Sequence, residues 1–316
     1  MGIVEEFDVS TVVAELIITL FLLGYVFGPL VWAPLSEFYG RRWIFYGTFL
    51  AYFAFTFLCA FTKSFAGLLV GRFLTGTFCS AALSNSPGVL VDIWGPIERG
   101  NAMAVFSMMT FVGPAMGPVT SGFLQMTETW RWTFYQLIWL AFATMVLLFT
   151  IPETLPSMVL YNKAKRLRRA QIPGYENVQA PVETENRTLG GIFRVALTRP
   201  WIIMFDPISF FAAIYMSVVY MLIYMLFEIY PIVFQEKRGW NPGVGELPLV
   251  GFVIGAVMGG AGIFVNSHRD RKRVEAGHVL QPEDRLPLAM VGGIIFPITM
   301  QVLTPTYRSP RPTDNR

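Results

Sequence analysis

The sequence predicts an all-α integral membrane protein with about eight transmembrane helices, from its composition and from the spacing of its apolar runs. Of its 316 residues, 54% are hydrophobic and 14% are charged, whereas soluble domains hold about 25% charged residues. Apolar runs of about 20 residues, the length that crosses a bilayer, recur along the chain. They occupy residues 12–34, 43–61, 66–91, 101–124, 132–151, 201–234, 246–265 and 286–303. The sixth run is too long for one straight span, so we expect tilt or a break at Pro231.

The basic residues predict the domain organisation and the orientation in the membrane. Residues 153–200 form a long polar linker between an N-terminal bundle of five spans (residues 1–152) and a partial C-terminal bundle of three spans with a disordered tail (residues 201–316). Sixteen Lys and Arg residues fall on the side of the membrane that contains this linker, against seven on the other side. The positive-inside rule therefore places the linker in the cytoplasm and both termini outside.

Several functional classes are excluded by composition and motif content. The formal net charge of +3 is too small to indicate a nucleic-acid partner. Cys59 and Cys79 lie inside apolar runs, and His268 and His278 lie in a polar loop, so no disulfide or metal site is predicted. The sequence carries no motif of a soluble catalytic domain, so we expect no enzyme activity and no cofactor. The expected partners are the lipid bilayer and a small-molecule substrate, and the oligomeric state is left open.

The first apolar run ends in a small-residue face and a proline. Gly24 and Gly28 lie four residues apart, on one helix face where a neighbouring backbone could approach closely. Pro34 is expected to break the helix, because proline lacks the amide hydrogen that a helix interior needs.

A charged turn follows that helix and leads directly into the second run. Its members are Glu37, Gly40, Arg41 and Arg42. Asp92, at the cytoplasmic end of the third run, could pair with Arg41 or Arg42 across the same face. We interpret these five residues as a candidate gating loop.

Two ionisable residues inside spans are candidates for proton coupling. Arg72 lies in the third run, where an ionisable group is costly unless it faces water or a partner. It either serves a central cavity, together with Asn85 on the same run, or snorkels to the nearer, external interface. Glu228 lies among aromatic residues late in the sixth run, where it either binds a proton reversibly or is simply solvated at the external end.

Glycine-rich faces in two runs could form a moving contact. They comprise Gly113, Pro114, Gly117 and Pro118 in the fourth run and Gly251, Gly255 and Gly259 in the seventh. The glycines would let two helices approach closely, and the prolines invite a bend, so the two faces could mate where two halves rock. A static kink and the general enrichment of glycine in membrane spans are the alternatives.

Together these motifs resemble the major facilitator superfamily, and within it the twelve-span drug:proton antiporters common in fungi. Residues 33–42 are similar to the loop motif between spans two and three, although Ala33, Glu37 and Phe38 depart from it. Residues 113–118 are similar to the fifth-span antiporter motif, and residues 152–156 to the end of the sixth span. Arg72 matches the fourth-span arginine that the family uses near proton coupling.

The resemblance implies a truncated protein, because the first run aligns with the family's second span and the eighth with its ninth. The family's partner for the charged turn lies in the eleventh span, so Gly24 and Gly28 are expected to face lipid or another subunit. The implied activity is proton-coupled efflux of small drug-like or cationic molecules by alternating access, in the plasma membrane, with the proton as coupling ion. The alternatives are transport of a physiological solute such as a polyamine or sugar, and a non-transporting remnant or partner protein.

Overall fold

The computed structural model describes residues 2–95, 98–171, 177–184, 188–277, 290–296 and 298, and these residues form helices without any β-strand. The α-helices are α1 (Gly2–Phe7), α2 (Thr11–Ala14), α3 (Leu16–Tyr39), α4 (Arg41–Phe61), α5 (Phe65–Ile93), α6 (Arg99–Leu124), α7 (Arg131–Phe149), α8 (Pro156–Arg169), α9 (Pro181–Thr184), α10 (Leu189–Met204), α11 (Pro207–Tyr230), α12 (Pro242–Gly245) and α13 (Val250–Glu275). A π-helix spans Pro231–Lys237, and a 3₁₀-helix spans Leu247–Leu249. Residues 290–296 are also helical.

Within the described part of the chain, seven helical segments are long and apolar enough to cross a membrane. They are Thr11–Tyr39, Arg41–Phe61, Phe65–Ile93, Arg99–Leu124, Arg131–Phe149, Pro207–Lys237 and Pro242–Glu275. These segments coincide with the first seven apolar runs, so the all-helical membrane fold class is confirmed. The eighth run, residues 286–303, and the tail that was predicted to be disordered lie largely outside the described residues.

The sixth span begins at Pro207, later than the apolar run predicts. Residues 201–204 belong to α10, which starts in the linker at Leu189. The Asp206 carboxylate accepts hydrogen bonds from the backbone N–H and the hydroxyl of Ser209, both at 3.2 Å, and Pro207 follows at the first helical position. An acceptor side chain followed by proline is a strong helix start. Apolar character alone could not show this boundary.

The break at Pro231 is confirmed, and it takes the form of a change in helix type. The α-helix ends at Tyr230, and the next seven residues, from Pro231 to Lys237, wind as a π-helix. Proline cannot donate to the carbonyl four residues earlier, so the wider winding begins at the residue where the α-helical bond is lost.

Pro34 does not end its helix, contrary to the prediction. Helix α3 passes through Pro29 and Pro34 and ends at Tyr39. Membrane helices tolerate proline where side chains and neighbouring helices satisfy the freed backbone groups. Termination falls instead at Gly40, whose φ of +94° leaves the helical region.

Backbone contacts group the chain into two compact units, Met1–Trp94 with Phe123–Tyr224, and Gly95–Gly122 with Met225–Arg316. This grouping differs from the sequence division at the linker, which separates five spans from three.

In the first unit, helix α5 is central and packs on α3 and α4, while α7 packs on α4. Near the N-terminal end of α5, a buried apolar cluster contains Ile17, Cys59, Ala60, Leu68 and Phe134.

The α3–α5 contact is close because glycines line it. A Cβ at Gly24 would lie 2.2 Å from the Phe73 carbonyl oxygen, and one at Gly28 would lie 1.8 Å from the Ser80 hydroxyl oxygen. A Cβ at Gly76 would lie 2.1 Å from the Phe21 carbonyl oxygen. The predicted close-packing face is confirmed, but the expectation that Gly24 and Gly28 face lipid or another subunit is wrong. They are buried against α5, which supplies the neighbouring backbone within the chain itself.

In the second unit, α6 and α13 lie antiparallel. A Cβ at Gly100 would lie 3.6 Å from the Ser267 hydroxyl oxygen, and the Met108 sulfur would lie 3.3 Å from a Cβ at Gly260. The rings of Phe111 and Phe252 are 6.1 Å apart. The contact thus includes a methionine against a glycine and a pair of phenylalanine rings.

Candidate functional site

The charged turn between α3 and α4 is held by a residue that sequence reasoning did not single out, Glu153. Its carboxylate accepts hydrogen bonds from the backbone N–H groups of Arg41 at 3.1 Å and Arg42 at 3.2 Å, the first two residues of α4. It also accepts from the N–H groups of Thr154 and Leu155, at 3.0 and 2.9 Å. A carboxylate at a helix N-terminus satisfies unpaired N–H donors and matches the positive end of the helix dipole.

Gly40 is required beside this carboxylate for two reasons. Its φ of +94° is a conformation that side chains with a Cβ rarely adopt. A Cβ there would also lie 2.5 Å from Glu153 Oε2. The glycine thus lets the carboxylate reach the start of α4.

The predicted pairing of Asp92 with the turn is present, and the partner is Arg41. Asp92 Oδ2 accepts from Arg41 Nε at 2.9 Å and lies 2.7 Å from Nη2. The two side chains are 11% and 18% exposed, so the pair is largely shielded from water. A Cβ at Gly88 would lie 2.5 Å from Arg41 Nη1, so this glycine leaves room for the guanidinium to lie against α5.

Asn85 lies on α5, where it contacts residues of the charged turn and its surroundings, and it is far from Arg72. It is 2% exposed, and its Oδ1 accepts from the Ser36 hydroxyl at 3.0 Å. Its backbone carbonyl accepts from Arg41 Nη1 at 3.4 Å. Thirteen residues of helix separate it from Arg72, a rise of about 20 Å. The structure therefore separates two residues that we had assigned to one cavity.

Arg42 points away from Asp92 and engages an aromatic residue on its own helix. Its Nε donates to the Tyr46 hydroxyl at 2.9 Å, and its guanidinium carbon lies 5.2 Å from the Tyr46 ring centre. The Tyr46 hydroxyl lies 3.0 and 3.1 Å from the carbonyl oxygens of Phe149 and Ile151, which ties α4 to the end of α7. Glu37 is exposed.

Arg72 lies inside the first unit between two aromatic rings. Its guanidinium carbon is 5.3 Å from the ring centre of Phe21 on α3 and 5.1 Å from that of Phe134 on α7. Its Nε is buried and has no hydrogen-bond partner among the described residues. It takes part in none of the ion pairs that the structure shows among the described residues. Snorkelling predicts a hydrated guanidinium, which does not fit a shielded Nε between two rings.

Two acids of the second unit, Glu228 and Glu246, differ in exposure. Glu228, which the sequence singled out, is exposed near the end of α11. Glu246, which it did not, is 6% exposed, and its Oε1 accepts from the side-chain amide of Gln235 at 2.8 Å. Its position at the polar start of an apolar run gave no sign of burial, because the burial depends on how the preceding π-helix folds back.

The predicted contact between glycine faces is not made in this structure. A Cβ at Gly113, Gly117, Gly251, Gly255 or Gly259 would meet nothing within 4 Å. Helices α6 and α13 do contact each other, as predicted, but the residues in contact are not the predicted glycines. The two helices meet instead at Met108 against Gly260 and at the rings of Phe111 and Phe252, so the four-residue spacing of glycine did not identify the contacting face. Pro114 and Pro118 lie within α6, which continues past both.

These features define a polytopic helical membrane protein with a charged, capped turn at one end of a central helix and a shielded cation along that helix. Residues 1–310 match the model of the Major Facilitator Superfamily. The chain belongs to this superfamily of membrane transporters.

Similar proteins come from fungi. The chain is 40% identical over 307 residues to the "Efflux pump FUB11" of Gibberella moniliformis, covering 94% of this chain and 50% of the relative. It is 38% identical over 305 residues to the "MFS-type efflux pump MFS2" of Trichophyton rubrum, covering 94% of this chain and 50% of the relative. It is 36% identical over 301 residues to the "Major facilitator superfamily multidrug transporter mdrA" of Aspergillus fumigatus, covering 93% and 49%. The chain thus spans about half the length of these curated relatives.

Proposed function

We propose that this chain forms part of a proton-coupled efflux transporter for small drug-like or cationic molecules, working by alternating access in the plasma membrane. The relatives' names, which include efflux pumps and a multidrug transporter, support export. The observation that carries the proposed proton coupling is the environment of Arg72.

Arg72 is a fixed cation in a place where a cation is costly. Its shielded Nε and the two flanking rings leave it without a carboxylate partner among the described residues. Intramembrane ionisable residues of this kind commonly mark ion or substrate pathways. In the proposed mechanism Arg72 repels a proton bound nearby in one conformation and favours its release, while the aromatic faces retain the guanidinium without neutralising it.

The turn at the start of α4 is proposed to act as the cytoplasmic gate. Arg41, Asp92 and Glu153 join α4 to α5 and to the segment after α7 through short polar contacts. Breaking or remaking such contacts changes the relative stability of two helix arrangements, which is what a gate requires. We further propose that α6 and α13 slide on each other during this change, since Met and Phe contacts tolerate displacement better than close glycine contacts.

Reconstitution into proteoliposomes tests the proposal. The chain is purified and inserted into vesicles with an acidic interior, and uptake of ethidium, a lipophilic cation, is followed by fluorescence. The wild type should accumulate ethidium only while the pH gradient lasts. In Arg72→Gln the gradient-driven rate of uptake should fall at least about tenfold, equivalent to about 1.4 kcal/mol. This variant should still exchange labelled for unlabelled ethidium without a gradient. Lys63→Gln, which removes an exposed cation outside the buried cluster, is the control.

Two results would count against the proposal. Ethidium uptake that is unaffected by collapsing the pH gradient would exclude proton coupling. Gradient-driven uptake that survives in Arg72→Gln would show that Arg72 has no part in coupling.

Movement of spermidine or glucose without ethidium would favour a transporter of a physiological solute.

A further inference from the structure

We propose that Glu246 is a proton-binding carboxyl group built by the connection between α11 and α13. Its use as the coupling proton rests on the function proposed above, whereas proton binding itself does not. Glu246 is 6% exposed, Oε1 accepts one hydrogen bond from Gln235, and Oε2 is buried without a partner in the described structure.

The π-helix supplies the amide that holds this carboxyl group. Pro231 starts the π-helix, and Gln235 lies within it. Gln235 reaches Glu246 over Gly245, where a Cβ would lie 2.6 Å from Gln235 Cγ. The N–H groups of Gly239 and Trp240 donate to the carbonyls of Gln235 and Phe234 at 3.0 and 2.9 Å and close the turn that folds the chain back.

Two further contacts fix the opposite side of Glu246. Asn241 caps α12 by accepting from the Val244 N–H at 2.8 Å. A Cβ at Gly122, near the end of α6, would lie 2.7 Å from the Pro242 carbonyl oxygen and 3.1 Å from Glu246 Cγ. Because α6 approaches this closely only at a glycine, the acid is enclosed by backbone on this side.

The surroundings favour the protonated acid. Glu246 takes part in none of the ion pairs that the structure shows within the described ranges. Gln235 and Gly122, which lie against Glu246, are neutral.

The remaining charged side chains of the connection, Glu236, Lys237 and Arg238, are exposed. An ionised carboxylate with one buried, unpaired oxygen is costly. Taking up one proton on Oε2 removes the charge and keeps the hydrogen bond from Gln235 to Oε1.

Reversible binding requires a route by which the proton on Glu246 can leave. Glu246 is held by Gln235 on one side and by the backbone near Gly122 on the other. A displacement of α6 at Gly122 would open the enclosed side of Glu246 and let its proton leave. In this proposal the proton is released when α6 moves relative to α12.

Infrared spectroscopy of the purified chain tests proton binding without any transport assay. At neutral pH the wild type should show the C=O stretching band of a protonated carboxyl group. The band should be absent in Glu246→Gln, which preserves shape and the acceptor for Gln235, and present in the control Glu236→Gln. In Gln235→Leu the band should move to higher frequency, since Oε1 loses its donor. A band of wild-type intensity in Glu246→Gln, or no band in the wild type, would overturn the assignment.

A second measurement tests whether that proton is used in coupling. Proton release on ethidium binding is followed with a pH indicator in weakly buffered detergent solution. Glu246→Gln should release about one proton fewer than the wild type and the Glu236→Gln control. Unchanged release, with the infrared band lost, would overturn the coupling role alone. If the wild type neither binds nor moves ethidium, the proposed function fails and the infrared result still decides proton binding.

Discussion

Removing the Glu153 carboxylate should loosen the start of α4 while leaving the rest of the first unit folded. Glu153 is 111 residues from Arg42 in sequence and accepts from the N–H groups of the first two residues of the helix. The proposed perturbations are Glu153→Ala, which removes both acceptors, and Glu153→Gln, which keeps one uncharged acceptor oxygen.

The magnitude follows from the environment of the two N–H groups. The Arg41 contact is partly buried, so loss of a charge-assisted bond there costs about 1–2 kcal/mol. The Arg42 contact is exposed, where water replaces the carboxylate, so we expect only a few tenths of a kcal/mol. The lost charge at the helix N-terminus adds about 0.3–1 kcal/mol. A total of about 2 kcal/mol raises local opening about 30-fold, since about 1.4 kcal/mol is a factor of ten.

Hydrogen exchange measured by mass spectrometry on the peptide covering residues 40–46 checks this value. Exchange limited by local opening should be about 30-fold faster in Glu153→Ala and show a smaller increase in Glu153→Gln. Glu128→Gln is the control, because it makes the same chemical change as Glu153→Gln at an exposed acid elsewhere in the chain. It should not alter the exchange rate of this peptide.

Gly40→Ala provides an independent check on the same contact. Its Cβ would displace the carboxylate, so its effect should be less than additive with Glu153→Ala. Exchange within twofold of the wild type in Glu153→Ala would refute the capping argument. Equal acceleration in every helix would show a loss of global stability instead.

Three further outcomes are expected. In a double-mutant cycle of Arg41→Gln and Asp92→Asn, unfolding in mixed micelles should give a coupling free energy of about 1–2 kcal/mol, because the pair is largely shielded; additive effects would contradict this. Gly28→Ala should destabilise the chain by about 1–3 kcal/mol in the same assay, since its Cβ would lie 1.8 Å from a hydroxyl oxygen of α5, whereas Gly113→Ala meets nothing within 4 Å and should be neutral. The pKa of Glu183 is lowered by a backbone hydrogen bond and by an arginine on α8. Its contribution to the α8–α9 contact is therefore present above the ordinary carboxyl pKa and is lost as pH falls below about 4. Hydrogen exchange in residues 177–184, corrected for intrinsic exchange, should rise at that low pH in the wild type and be insensitive to pH in Glu183→Gln.

Local features were predicted well where one short stretch contains the cause. The start of the π-helix at Pro231 follows from a missing amide hydrogen, and the Arg41–Asp92 pair follows from two opposite charges at helix ends on one side of the membrane. Pro34 shows the limit of such reasoning. Its missing hydrogen is the same, but Pro34 is buried among neighbouring residues and α3 continues to Tyr39.

The candidate sites were predicted less completely, because their residues come from distant parts of the chain. Glu153 was noticed as part of a motif, but its contact with the start of α4 required the end of α7 to return beside the turn. Asn85 was grouped with Arg72 because both lie on the third run, whereas in the structure it contacts Ser36 and Arg41. Glu246 was missed because only the folded-back connection buries it.

The sequence by itself determined the number and order of the apolar spans in the described chain, their membrane character and the superfamily, since these depend on run length, charge and local motifs. Only the tertiary structure decided which face of each helix is buried. In a membrane, lipid is as apolar as leucine, so a span can be hydrophobic on every side and its periodicity does not identify its partner. Thus Gly28 on α3 lies against α5, whereas Gly113 on α6 has open space beside it, although both belong to glycine pairs spaced by four.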